Sequence, residues 1–239
     1  MTERKPEAVS LARALSKLGW CSRAQALTLV STGRVTVDGR AVTDPSFRID
    51  MRRARIAVDG EPVRAGERVY LMMHKPAGYV TTTSDERGRP TVHDLLPRDG
   101  QRVNAVGRLD LGSEGLLLFT NDTRWADRIL DPSSHMDKRY EVELARPLAD
   151  ADVERAIAGV DAGRGEVLGF RAVSRMGRGP QWVEVVLDEG KNRQIRRVLE
   201  SLGYDVVRLI RTAIGPVELG SLAPGEVREL TAAEKQSLD

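Results

Sequence analysis

The chain has 239 residues, 41% of them hydrophobic and 30% charged, a mixture that suits a folded globular protein and excludes a disordered one. No apolar run approaches the ~20 residues a bilayer helix needs, and residues 1–7 are polar, which points to a cytoplasmic protein with no membrane association. Cys21 is the only cysteine, so internal disulfides and cysteine-based zinc sites are excluded, and 37 basic against 35 acidic residues leave a net charge of only +2.

That charge is unevenly spread. Residues 1–70 hold 13 basic and 8 acidic side chains, and the basic ones are mostly arginines, whose planar fork suits phosphate. Leu11, Leu15 and Leu18 predict a helix that stops at Gly19. Ser22-Arg23-Ala24-Gln25 has the pattern of a capping box, opening a second helix that carries Leu27 and Val30 and ends near Gly33. Val35-Thr36-Val37, the Asp38-Gly39 turn and Arg40-Ala41-Val42 predict a hairpin, and Ile56-Ala57-Val58-Asp59-Gly60 a further strand and turn. This order, with Cys21-Ser22-Arg23 before the second helix and Gly33-Arg34-Val35-Thr36-Val37-Asp38-Gly39 after it, resembles the small RNA-binding domain of ribosomal protein S4. The resemblance implies a domain over residues 8–60 that recognises folded RNA by shape and phosphate contacts, with Arg23 and Arg34 among its RNA-binding residues. Uncharged Gln25, Ala26 and Thr28 depart from relatives that often carry charge on this helix.

Pro62 and Gly66 mark residues 61–67 as a linker. Over 68–239, strands are predicted at 69–73, 79–82, 103–106, 116–120, 140–144, 182–187 and 206–210, and helices at 123–130, 150–158 and 192–202. The alternation is irregular and lacks a Rossmann glycine pattern, so the fold class is α+β with a mixed, largely antiparallel sheet.

Three segments of this larger part carry chemistry. Gly107-Arg108-Leu109-Asp110 sets one carboxylate on the loop that feeds the apolar run Leu116 to Thr120, where a rigid sheet presents it to a cleft. Alone, Asp110 reads more readily as a turn residue capping local backbone, and only its partners overturn that reading. Lys138-Arg139-Tyr140-Glu141-Val142 places a tyrosine at the start of a strand. In Asp188-Glu189-Gly190-Lys191-Asn192-Arg193-Gln194-Ile195-Arg196-Arg197-Val198-Leu199, the apolar stripe Ile195, Val198, Leu199 and Leu202 sets Arg196 beside the buried face, with Arg193 and Arg197 on a neighbouring one.

Together these segments, in this order, resemble the signatures of pseudouridine synthases of the RsuA/RluB branch, a likeness covering nearly the whole chain. It implies that Asp110 is the nucleophile on a flipped-out uridine, attacking either ribose or ring, that Tyr140 packs on the target uracil, and that Arg196 pairs with and orients Asp110. Arg108, Arg193 and Arg197 are expected to contact RNA. The reaction is an isomerisation, so no cofactor is implied, and His74, His93 and His135 lack metal-ligand spacing. Thr81-Thr82-Thr83 and Asp85-Glu86-Arg87-Gly88-Arg89-Pro90 look more like the large-subunit ribosomal RNA enzymes than the small-subunit one. The expected partner is therefore ribosomal RNA or an assembling ribosomal subunit, and the expected state a monomer. A small-subunit synthase and a non-catalytic RNA-binding assembly factor stay open as alternatives; a hydrolase is disfavoured because no nucleophile elbow, phosphate loop or metal spacing is found.

Overall fold

The computed structural model describes residues 8–64, 66–97 and 101–239. The polar N-terminus and Ala65 of the expected linker lie outside the described residues. The chain divides into two compact units, one from the described residues of 1–69, 99–104 and 121–123, the other from those of 70–98, 105–120 and 124–239.

The first unit runs β1 (Val9–Ser10), α1 (Leu11–Lys17), α2 (Arg23–Ser31), β2 (Val35–Val37), β3 (Arg40–Ala41), β4 (Arg48–Ile49), β5 (Ile56–Val58) and β6 (Glu61–Pro62). Ser10 and Ser22 accept backbone hydrogen bonds at the starts of α1 and α2, and Gln25 completes the capping box expected at Ser22. β3, β2, β5 and β6 form an antiparallel sheet in that order. Asp38-Gly39 and Asp59-Gly60 all have positive φ, the geometry that lets a two-residue hairpin match strand twist. The second of these turns draws Glu61 and Pro62, expected as linker, into the sheet beside β5. Leu11, Leu15, Ala26, Val30, Val35 and Val58 fill the core. Cys21 is buried against it as a structural thiol, and burial pushes its pKa up.

The second unit continues with β7 (Tyr70–Lys75), β8 (Asn104–Val106), β9 (Glu114–Thr120), α3 (Thr123–Leu130), β10 (Lys138–Leu144), α4 (Asp150–Ala158), β11 (Val160–Asp161) and β12 (Val167–Leu168). Then come β13 (Ala172–Arg175), β14 (Trp182–Leu187), α5 (Gln194–Ser201), β15 (Val206–Ile214), β16 (Val217–Glu218), β17 (Val227–Glu229) and α6 (Ala232–Ser237). One mixed sheet runs β13-β14-β10-β15-β9-β7-β17, antiparallel except where β15 meets β9. Residues Gly115 to Thr120 of β9 are all buried, which explains the unbroken apolar run of this central strand.

One predicted strand is absent. Residues 79–82 form a loop with a single bridge from Val80 to Thr91, because the threonine hydroxyls bond elsewhere: Thr82 donates to the Ser84 carbonyl at 2.8 Å and Thr81 to that of Leu109 at 2.7 Å.

Alternation along the sheet separates two surfaces. Lys138 and Tyr140 of β10, Leu187 of β14, and Leu209 and Arg211 of β15 line one cavity. Arg139 and Glu141, Glu184, and Arg208, Ile210 and Thr212 line another. A register shift after Arg139 pairs Lys138 with Ile214 but Tyr140 with Arg211, so the bulge keeps Ile214 and Arg211 on the same face. On the other surface Arg139 pairs with Glu218, Arg178 with Glu141 and Arg208 with Glu114.

Candidate active site

The first cavity, about 530 Å³, is lined by Arg108, Asp110, Lys138, Tyr140, Arg193, Arg196 and Arg211, a size that accommodates a single nucleotide-sized ligand. The three segments singled out in the sequence therefore meet in one cleft.

The turn bearing Asp110 is built from below. Lys75, fully buried at the end of β7, donates to the carbonyls of Ser113 at 2.7 Å and of Asp110 and Pro76 at 3.1 Å. Burial, only partly offset by Glu114 and Asp110, pushes its ammonium from 10.5 down to about 8. The Ser113 amide donates back to the Asp110 carbonyl at 3.0 Å, closing the turn. Thr81 both donates to the Leu109 carbonyl and accepts from its amide, at 2.7 and 3.3 Å. Gly115 then lets β9 approach β15: at φ +105°, an added Cβ would lie 2.2 Å from the Arg211 carbonyl oxygen.

With its backbone fixed, Asp110 presents a side chain 40% exposed to the cleft, where Arg193 approaches its carboxylate at 3.6 Å. Arg193 precedes α5 in a left-handed conformation, φ 50°, so its guanidinium leaves the helix direction and reaches the aspartate. Arg196, expected to pair with Asp110, instead donates to the carbonyls of Gly112 and Val206, both at 3.1 Å. It thereby braces the Asp110 turn against β15. Burial and the neighbouring Arg193 lower its pKa, against the opposing pull of Asp110 and Glu200. Tyr140 is buried in the cleft wall directly across from Arg211.

The pattern of the family described as RNA pseudouridylate synthase matches residues 69–201, and that of the S4 domain matches residues 9–54. The chain belongs to the RNA pseudouridylate synthase family. This synthase is 40% identical to an RNA pseudouridine synthase of Mycobacterium tuberculosis, itself called uncharacterized, over 97% of this chain and 93% of that protein. It is 38% identical to the ribosomal large subunit pseudouridine synthase B of Haemophilus influenzae, over 90% of this chain and 62% of that one. A crystal structure of a pseudouridylate synthase superimposes with a TM-score of 0.69 at 29% identity, covering 97% of this chain and all of the other. The synthase is thus an enzyme that joins an S4 domain to an α+β catalytic domain.

The remaining expected RNA contacts of the synthase separate by environment. Arg108 and Arg193 are exposed at the cleft and Arg23 is exposed in the first turn of α2. Arg34 is about half exposed, but its guanidinium is held by Asp59. Arg197 differs: its side chain is only 11% exposed, salt-bridged to Glu166 at 2.7 Å and donating through Nε and Nη2 to the carbonyls of Ala162 and Gly163, so it tethers a loop and does not extend freely to solvent as an RNA contact would. Arg89 likewise pairs with Asp85 across its own loop. Sequence reasoning missed Lys75 and Arg211. The signal for Lys75 was a lysine ending an apolar run just before Pro76; Arg211 had a similar one, a charge inside Leu209 to Ile214. Among the described residues no group of His, Cys, Asp and Glu is arranged to hold a metal ion, and no helix is long and apolar enough to cross a membrane.

Proposed function

We propose that this synthase isomerises a uridine of large-subunit ribosomal RNA to pseudouridine, with Asp110 as nucleophile. The observation that carries the proposal is the convergence of Asp110, Tyr140 and the Arg193–Arg196 segment on one cleft, with the carboxylate exposed to it and its backbone clamped. An extruded base needs a flat partner to replace its lost stacking, and Tyr140 supplies one. Arg193 keeps a positive charge beside the carboxylate, and Arg196 fixes the turn that aims it. Asp110 attacks either the ribose C1′ or the ring C6; both routes end in the same carbon-linked product. The atoms of the uridine are conserved, so the reaction needs no cofactor.

The large-subunit assignment is supported by relatives bearing that name at 38% identity. The S4 domain, extended past residue 60 by the pairing of Glu61 and Pro62 with β5 and followed by the catalytic domain, would grip the RNA with Arg23 and Arg34, while Arg108 and Arg193 hold the strand at the cleft mouth. The enzyme acts as a cytoplasmic monomer on ribosomal RNA or an assembling subunit. Mapping pseudouridine across both ribosomal RNAs in cells lacking the gene, complemented with the native protein or with Asp110→Asn, tests this. One large-subunit site restored by the native protein alone is expected; equal rescue by both, or no lost site, overturns it.

A further inference from the structure

The floor of the cleft holds a cation, Arg211, with no ion-pair partner among the described residues. Arg211 is 4% exposed, its Nε donates to the Leu116 carbonyl at 2.8 Å, and its Nη2 is buried without a hydrogen-bond partner. A guanidinium is charged at any working pH and carries five donors, so leaving it buried and unpaired is unfavourable unless something arrives to complete it. Among the described residues no carboxylate forms an ion pair with Arg211. It also repels its neighbours, contributing to the lowered pKa of both Lys75 and Lys138. A hydrogen-bond acceptor bound beside Arg211 would complete its set of partners.

Which acceptor follows from position. Exposed Arg108 and Arg193 stand at the mouth, where the solvated phosphates of an RNA strand pass. Arg211 is the cross-strand neighbour of Tyr140 and lines the same cavity, beside the place a base stacked on that ring would occupy. Resting on the reading of the cleft as a uridine site, we propose that Arg211 donates to a carbonyl oxygen of the flipped uracil and stabilises the negative charge that develops there. In the reaction the C1′–N1 bond breaks and its electron pair stays with the uracil, delocalised over N1, O2 and O4. A C1′–C5 bond then forms, the proton on C5 departs and N1 takes one up, so nothing is gained or lost overall. Attack at C6 instead sends the C5–C6 π pair to O4, the same class of oxyanion. A fixed buried donor aimed at developing charge is effective because it needs no reorganisation at the moment of reaction.

The test compares native enzyme, Arg211→Gln, Arg211→Lys and Asp110→Asn on RNA carrying uridine or 5-fluorouridine at the target. Single-turnover rates, RNA affinity and melting temperature are measured for each. Arg211→Gln is expected to keep RNA affinity and fold but to cleave the uridine C1′–N1 bond about 10²–10³-fold more slowly, with a smaller loss for Arg211→Lys. The gap between native and Gln enzymes should narrow with 5-fluorouridine, whose fluorine stabilises the departing anion. Weakened RNA binding with an unchanged rate at saturation would reassign Arg211 to phosphate, and an equal loss with both substrates or a collapsed melting temperature in both variants would make it structural. Each overturns the proposal while leaving the Asp110 reading intact. A fully active Asp110→Asn overturns both.

Discussion

Replacing Lys75 by methionine removes the ammonium that holds the Asp110 turn while keeping a side chain of similar length in the core. Two terms of opposite sign then act. Three carbonyls lose a donor at 2.7 to 3.1 Å, and an unsatisfied buried carbonyl costs about 1–3 kcal/mol. Against this, the drop of the Lys75 pKa from 10.5 to about 8 reports a charge disfavoured by about 3 kcal/mol in the folded protein, which methionine relieves. The net destabilisation is expected to lie between about zero and about 6 kcal/mol, whereas a turn loosened by ~1 Å lowers turnover about 100-fold. Urea melts and single-turnover assays at neutral pH separate the two. The pH dependence adds a second check. Between about pH 8 and 10.5 the unfolded chain binds the Lys75 proton that the folded chain has released, so native stability gains a rising contribution with pH across this window. The difference between the native and Lys75→Met stability curves should therefore rise across this window and be flat above and below it. Turnover within threefold of native, or identical pH slopes for the two proteins, would refute the reasoning.

Gly115→Ala forces a Cβ to within 2.2 Å of backbone at a φ of +105°, and should destabilise the catalytic domain by about 3 kcal/mol or more, read in thermal melts. Arg197→Ala is expected to lower stability by about 1–2 kcal/mol through its lost carbonyl bonds while leaving RNA affinity, measured by filter binding, unchanged. Arg193→Ala should do the reverse, slowing turnover about tenfold with stability altered by less than ~1 kcal/mol, because its pairing with Asp110 is half exposed. Glu114→Gln removes a carboxylate whose pKa Arg208 holds down; the native advantage of about 1 kcal/mol should be present above pH ~4.5 and fade as acid titrates Glu114, visible in urea melts across pH.

Much of the architecture was legible because apolar periodicity and turn chemistry agree with burial. α3, α4 and β14 fall on their predicted ranges, and the two Asp-Gly turns form as hairpins. Short edge strands escaped: β13 and β17 are three or four residues long and contain no buried residue, so they carry no apolar alternation to read. The cleft was legible to the level of segments and not of side chains. A helix drawn from residue 192 makes Arg193 and Arg196 neighbours on a wheel, but α5 begins at Gln194 and the left-handed Arg193 points elsewhere, which hands it the contact with Asp110. Arg197 was expected at the RNA because its cover, the 162–166 loop, lies some thirty residues upstream. Lys75 and Arg211 went unread for a related reason: a buried cation is recognised only through carbonyls that the fold brings to it.

The two-sided use of β10 and β15 makes the strand register itself part of the enzyme. One face of this ribbon offers Lys138, Tyr140 and Arg211 to the cleft, and the intervening residues Arg139, Glu141 and Arg208 knit the reverse with ion pairs. A single-residue insertion in β10 would swap the two, pushing a salt-bridged arginine into the place of Tyr140 and setting the tyrosine among charges. A one-residue change of length within these strands would therefore cost the cleft its lining unless a bulge, like the one after Arg139, absorbed it.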